Sequence, residues 1–291
     1  RSFAAHEHGP VVDFRPPTAV PLDRPGELDE ISAADLTAEA LRAGFARQGC
    51  VLVRNLIPED EALRLAAGID AALEAFDRAD AAGADHDDEG WFSQFTPTAG
   101  TYRVGGRRKW VRKSGALWTA DSPRMLFDLL ELVDRTGIGS VVTEYLGERP
   151  ALSANKCTLR RVPLDTNVGW HQDGAFLGEQ VRTVNLWLAL GHCGRTAPGL
   201  DLVPRRIDRV VETGTGDAIF DWSVSTDVVA HEAGHAGVVR PEFAPGDALL
   251  FDHLFLHSTA VEPDMTQERH AMETWFFAPS AYPDGQIPLV Y

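Results

Sequence analysis

Trp170-His171-Gln172-Asp173-Gly174 places an imidazole and a carboxylate two positions apart in strand-like sequence. Side chains i and i+2 share one face of a strand. On that reading, His171 and Asp173 meet at one point. Downstream, Gly246-Asp247 leads into ALLFDHLFLHSTA, which offers a second histidine at His253 or His257. Two histidines and one carboxylate, with open positions left over, form the facial triad of non-haem Fe(II) oxygenases. His253 and His257 have the same parity, so alternation does not choose between them. Arg269 opens the run RHAMETWFF, twelve residues after His257 and sixteen after His253. A guanidinium there can clamp a carboxylate through two parallel hydrogen bonds.

The texture around these residues is β from Ala151 onward. Short runs rich in Val, Thr, Leu and Trp lie at 151–162, 168–173, 181–190, 200–203, 237–240, 247–252 and 270–277, separated by Gly, Pro and Asp. Strands at this spacing predict a sandwich or barrel. The lack of βαβ alternation argues against a doubly wound parallel sheet. Neither G-x-G-x-x-G nor a Walker sequence occurs, which weakens nucleotide-binding readings. In 184–190, Val184, Leu186, Leu188 and Leu190 fill one face. Thr183, Asn185 and Trp187 share the other, the side expected to face a site.

The first half reads as helices. Ser32 and Asp35 resemble a capping box before Leu36, Leu41 and Phe45, and Gly49 closes that element. A buried strand, Cys50 to Leu56, follows. Pro58 suits a first helical turn, and Leu65, Ile69, Leu73 and Phe76 make a helical stripe after it. Ser122-Pro123 starts another helix, and a short one ends at Gly147. Residues 1–30 read as an extended arm, and 31–291 as one catalytic domain. An irregular lid is expected near 80–120.

The pattern His171-x-Asp173, then His257, then Arg269 resembles the phytanoyl-CoA dioxygenase family of Fe(II)/2-oxoglutarate oxygenases. The likeness runs from about Gly49 to Phe277. Its strongest pieces are WHQDG (170–174), VNLWLAL (184–190), APGLDLVP (197–204), GDALLFD (246–252) and HSTA (257–260). The resemblance implies a mainly β fold, a double-stranded β-helix (cupin-like jelly-roll) with helices packed outside. It implies that His171, Asp173 and His257 bind iron and that Arg269 grips the far carboxylate of 2-oxoglutarate. Thr259 and Trp187 match positions that assist or border this cosubstrate. Asn155, Lys156 and Thr158 lie where the family often contacts it. The implied reaction consumes O2 and 2-oxoglutarate, oxidises a C–H bond of a small molecule and releases succinate and CO2. Related halogenases lack the metal-binding carboxylate; Asp173 is present here, which favours hydroxylation, or a related oxidation such as desaturation or ring formation, over halogenation. After Pro204 this chain has Arg205 and Arg206 where family members often have Gly-Ser-His, which puts local loop contacts in doubt.

Between Arg103 and Lys113 sit six cations in eleven residues, interleaved with Trp110. They are a solvated surface or a clamp for an anionic substrate. Arg103, Arg107, Trp110, Gln172 and Phe176 are the substrate-contact candidates. His231-Glu232-Ala233-Gly234-His235 spells H-E-x-x-H, the zinc-hydrolase signature, which needs a helix to bring both histidines to one face. Gly234 and Gly237 argue against a helix there, glycine costing about 1 kcal/mol relative to Ala in a helix interior. The remaining rival is a non-catalytic jelly-roll that binds a ligand.

Composition bounds these readings. The chain has 291 residues, 27 Lys+Arg against 43 Asp+Glu, and a formal net charge of -16. That excludes a general nucleic-acid binder, which needs an electropositive surface. Three cysteines with no C-x-x-C pair argue against a disulfide scaffold and fit a reducing, cytoplasmic setting. No apolar run approaches the roughly 18 residues of a membrane helix. Arginine outnumbers lysine 24 to 3, a usage typical of GC-rich bacterial genomes. Nothing in the sequence sets the oligomeric state.

Overall fold

The computed structural model describes residues 14, 16–20, 26–97, 105–166 and 169–291, and the side chains of 105–107 are not described. Most of the expected arm therefore lies outside the described residues. Phe14 packs edge-on against Tyr145 at 6.0 Å. The chain then enters a sheet as β1 (Glu30–Ser32), which pairs in parallel with β2 (Cys50–Arg54). Between them, a 3-10 turn at Ala33–Asp35 takes the place of the expected first helical turn. Ser32 bonds the Asp35 carboxylate instead of a backbone N–H. Helix α1 starts later, at Ala38–Gln48, because Thr37 caps it by accepting from the Ala40 N–H at 3.1 Å.

Helix α2 (Glu59–Ala82) buries Leu65, Ile69, Leu73 and Phe76, the predicted stripe. The stretch expected to be an irregular lid is partly regular. It holds α3 (Gly105–Lys113) and β3 (Ala116–Trp118), the latter paired with β5. Gly115 makes the turn between them. Its φ is +75°, and a Cβ there would lie 2.3 Å from the Arg161 carbonyl oxygen, so only glycine lets α3 hang this close to the sheet. Helices α4 (Pro123–Arg135) and α5 (Ile138–Leu146) follow as predicted, and Gly147 ends α5.

The second half is the jelly-roll. Its strands are β4 (Ala151–Ser153), β5 (Thr158–Val162), β6 (Trp170–His171), β7 (Thr183–Ala189), β8 (Gly199–Leu202), β9 (Ser223–Val224), β10 (Ala248–Phe251), β11 (His257–Ala260), β12 (Arg269–Phe277) and β13 (Pro288–Leu289). Short helices α6 (Gly174–Leu177) and α7 (Thr226–Ala233) interrupt them. The larger sheet runs β1-β2-β10-β7-β12-β4-β13, with β5 bridging β12 to β3. The smaller runs β8-β11-β6-β9. The expected strand at 237–240 is reduced to one bridge between Val239 and Leu202.

Strand β7 is buried along its whole length, as are β3, β4 and β10. This reflects its two covered faces. Leu186 and Leu188 join the main apolar core with Leu65, Ile69 and Met272, where α2 lies against β5 and β12. Asn185 and Trp187 face the space between the sheets. Among the described residues no helix is long and apolar enough to cross a membrane.

Candidate active site

The two sheets hold a cavity of about 570 Å³ between them. The smaller sheet supplies one wall. In the β6–β11 ladder His171 stands directly opposite His257, and opposed residues on one sheet face bring their side chains together. The imidazole centroids are 4.4 Å apart. Asp173 arrives differently from the alternation argument. Strand β6 ends at His171, and Asp173 has helical φ/ψ (-62°, -23°) as the residue capping α6. A tight turn, not a pleat, delivers the carboxylate. Its Oδ2 lies 3.9 Å from His257 Nε2, and all three ligand atoms fall within 4.8 Å of one another. Among the described residues this is the only group of three or more His, Cys, Asp or Glu side chains so arranged.

The protonation state suits a metal. His171 Nδ1 is 3.0 Å from the Gly169 carbonyl, and His257 Nδ1 is 3.0 Å from the Phe255 carbonyl. A carbonyl only accepts, so each Nδ1 carries the proton and each Nε2 keeps its lone pair. Burial pushes both imidazoles towards the neutral form, His171 down to about 4. Burial alone would raise the Asp173 carboxyl. The Lys156 ammonium, 2.5 Å from Oδ1, and the two imidazoles outweigh it and hold Asp173 at about 2. The site is thus two neutral imidazoles and one carboxylate.

The larger sheet supplies the opposite wall. Arg269, Glu273 and Trp275 fall on one face of β12, and the ladder sets Glu273 beside Trp187 and Trp275 beside Asn185. Arg269 is 1% exposed. One of its terminal nitrogens (Nη1) donates to the Gly199 carbonyl at 2.6 Å, and its guanidinium sits 5.4 Å from the Trp187 ring. Among the described residues, no carboxylate forms an ion pair with it, and burial pulls it down to about 10. The Nε of Arg269, the indole N–H groups of Trp187 and Trp275, and Oδ1 of Asn185 are buried without hydrogen-bond partners. Buried polar groups are normally paired. Four orphans around one cavity, with a lone guanidinium among them, fit a polar, carboxylate-bearing ligand beside the triad.

The expected site residues divide by what they touch. Thr259 and Trp187 line the cavity, as do Asn155, Lys156 and Thr158. Of these, Lys156 bonds Asp173, Thr158 donates to Glu273 at 3.0 Å, and Asn155 accepts from the Ile287 N–H at 2.8 Å. Trp110 and Phe176 stand at the mouth. Gln172 is a correction. It is fully buried, its amide bonds the Arg209 and Leu254 carbonyls, and its oxygen accepts from the Val211 N–H. It braces the loop and does not reach the cavity. Arg103 and the Arg107 side chain lie outside the described residues. In the same run, Arg108 pairs with Asp121 at 2.7 Å, Arg112 with Asp77 at 2.6 Å and Lys109 with Asp80 at 3.0 Å. None of these three cations lines the cavity, so they form no substrate clamp.

The competing histidines are accounted for. His253 turns its Nε2 to the Glu179 carbonyl at 3.1 Å, away from the triad. Contrary to the expectation from its glycines, the HEAGH segment is helical, but the α-helix stops at Ala233 and His235 sits in a 3-10 turn, Gly234–Ala236. Glu232 is buried against Arg209, and the motif's histidines form no metal group among the described residues. Arg205 and Arg206, where the family resemblance breaks, anchor the loop. Arg206 pairs with Asp252 and Arg205 donates to the Glu232 carbonyl. Sequence reasoning left out Glu273, Arg160, Trp118 and Trp222 as site residues. Glu273 follows Arg269 by four positions on the same strand face, a signal that was available.

The sequence matches the phytanoyl-CoA dioxygenase (PhyH) family over residues 45–262. The chain belongs to that family. No curated protein matches it in sequence. Solved structures are similar in fold. EctD from S. alaskensis with bound Fe shares 18% identity at a TM-score of 0.57, covering 91% of this chain and 85% of that one. SnoK, a non-heme alpha ketoglutarate dependent carbocyclase from nogalamycin biosynthesis, shares 17% at 0.53, covering 85% and 86%. AviO1 from Streptomyces viridochromogenes Tue57 shares 18% at 0.50, covering 85% and 98%.

Proposed function

We propose that this protein is an Fe(II)- and 2-oxoglutarate-dependent oxygenase that hydroxylates a C–H bond of a small molecule. One observation carries the reading: a two-histidine, one-carboxylate group and a buried, carboxylate-free arginine face each other across one cavity. The structure of EctD with 2-oxoglutarate and 5-hydroxyectoine, similar at 16% identity and a TM-score of 0.55, adds weight by analogy of fold.

When bound, iron with 2-oxoglutarate and O2 would supply the oxidation, with succinate and CO2 as the co-products. His171 and His257 offer Nε2, and Asp173 offers the oxygen that Lys156 does not hold. Arg269 would receive the far carboxylate through charge-assisted hydrogen bonds, with the Trp187 ring beside its guanidinium and Thr259 facing it from β11 in the opposite wall. Trp110, Phe176 and Trp222 form the aromatic mouth, with Trp118 buried in the wall below.

Purified protein given Fe(II), 2-oxoglutarate and O2 should form succinate slowly without substrate, and Asp173→Ala should not. Wild-type protein that binds iron yet never turns over 2-oxoglutarate would favour the non-catalytic jelly-roll.

A further inference from the structure

The cavity is lined by five charged side chains among the described residues: Lys156, Arg160, Arg269, Asp173 and Glu273. Three cations against two anions leave one positive charge, in a chain whose net charge is -16. Loading the proposed cofactors does not change that surplus. Fe(II) brings two positive charges and 2-oxoglutarate two negative ones. An uncompensated charge in a partly enclosed site is costly unless a partner answers it.

The surplus can be located. Arg160 and Glu273 satisfy each other at 2.8 Å. Arg269 is answered by the cosubstrate carboxylate. Asp173 would share its charge with the metal. Lys156 remains. An ammonium has three N–H donors, and among the described residues Asp173 Oδ1 is its one hydrogen-bonded acceptor. Its head lies 4.5 Å from the Phe176 ring centroid and 4.9 Å from that of Trp275, between the triad and the mouth.

The mouth is apolar and flat-walled. Trp110 is 64% exposed and Phe176 is 46% exposed. Trp222 meets Phe176 edge-on at 5.7 Å and His171 at 5.6 Å, and Phe220 stacks on its outer side at 4.8 Å. Exposed aromatic faces clustered at a cavity rim mark a binding surface.

We infer that the substrate is a monocarboxylate on a flat, apolar ring body, its carboxylate on Lys156 and its ring among Trp110, Phe176 and Trp222. A phosphate monoester, at about -1.5 to -2, would overshoot the surplus, and a cation would double it. This rests on the oxygenase reading above.

The test uses protein loaded anaerobically with Fe(II) and excess 2-oxoglutarate, so that Arg269 is taken. The visible charge-transfer band is recorded first; if it is missing, the oxygenase reading itself fails. With the band present, equilibrium dialysis compares 2-naphthoate, 2-naphthamide and 2-naphthylmethylammonium. The expected order is carboxylate over amide by about tenfold to a hundredfold, the range of one hydrogen bond to a charged group, with the ammonium weakest. Lys156→Met, compared at an Fe(II) concentration raised until its band is fully formed because the bond to Asp173 is lost, should erase the carboxylate's advantage. Trp110→Ala should weaken all three probes alike. Equal binding of carboxylate and amide would overturn the inference. So would a carboxylate advantage that survives in Lys156→Met.

Discussion

The two ends of the cavity are built from different material. The floor is sheet: His171 opposite His257, Glu273 beside Trp187, Trp275 beside Asn185, each fixed by a backbone ladder. The mouth is helix and loop: Trp110 on α3, Phe176 on α6, Trp222 in the segment before β9. The floor leaves buried polar atoms without partners, whereas the cations beside Trp110 are paired with carboxylates pointing elsewhere. Groups meant for chemistry are held rigid and unsatisfied. Arg108, Lys109 and Arg112, which carry the mouth, spend their charge on scaffold carboxylates, although Nη1 of Arg108 is buried without a partner, and the aromatic faces stay open.

That contrast predicts how each end breaks. Asp173→Ala should have the largest effect. Removing only the outer partners of metal ligands costs about 10–100-fold in affinity, so loss of the ligand itself should exceed that in an iron titration and abolish succinate formation. Asp121→Ala should come next, acting on stability. It strands Arg108, 6% exposed, whose bonds to Asp121 pin α3. Breaking such a buried pair costs about 3–5 kcal/mol, readable by denaturant unfolding.

Arg269→Ala should weaken 2-oxoglutarate binding by about tenfold to a hundredfold with little change in iron affinity. Equal loss of both would mean that floor and triad are one unit. Trp110→Ala should leave stability within about 0.5 kcal/mol, as expected for an exposed side chain, and leave 2-oxoglutarate binding unchanged. A changed cosubstrate affinity would erase the distinction between floor and mouth.

The smallest effect concerns pH. Burial would raise the Glu273 carboxyl, but Arg160 and Lys156 outweigh it and hold it below its ordinary 4.5. Its stabilising contribution is therefore present above about 4.5 and lost as pH falls through the lower folded value. Glu273→Gln should shallow the acid limb of the unfolding profile.

Legibility in the sequence followed the same division. Alternation in 184–190 correctly separated the core face of β7 from the face carrying Asn185 and Trp187. The order His171, Asp173, His257, Arg269 gave the family, because strand periodicity and ligand chemistry are both local. Asp173 was expected on a pleat and arrives by a turn, since a two-residue strand is too short to show its end in sequence. Residues 105–118 were expected to be irregular because α3 is held by long-range pairs to Asp77, Asp80 and Asp121, which no sequence window contains. Trp222 escaped notice because its place beside His171 comes from the pairing of β9 with β6.

The central claim is that triad and arginine act on one bound cosubstrate. Its most direct test is visible absorption after anaerobic addition of Fe(II) and then 2-oxoglutarate to metal-free protein. A metal-to-ligand charge-transfer band is predicted in the wild type, lost in Asp173→Ala and demanding more 2-oxoglutarate in Arg269→Ala. Absence of the band in wild-type protein, with iron left unbound, would contradict the account.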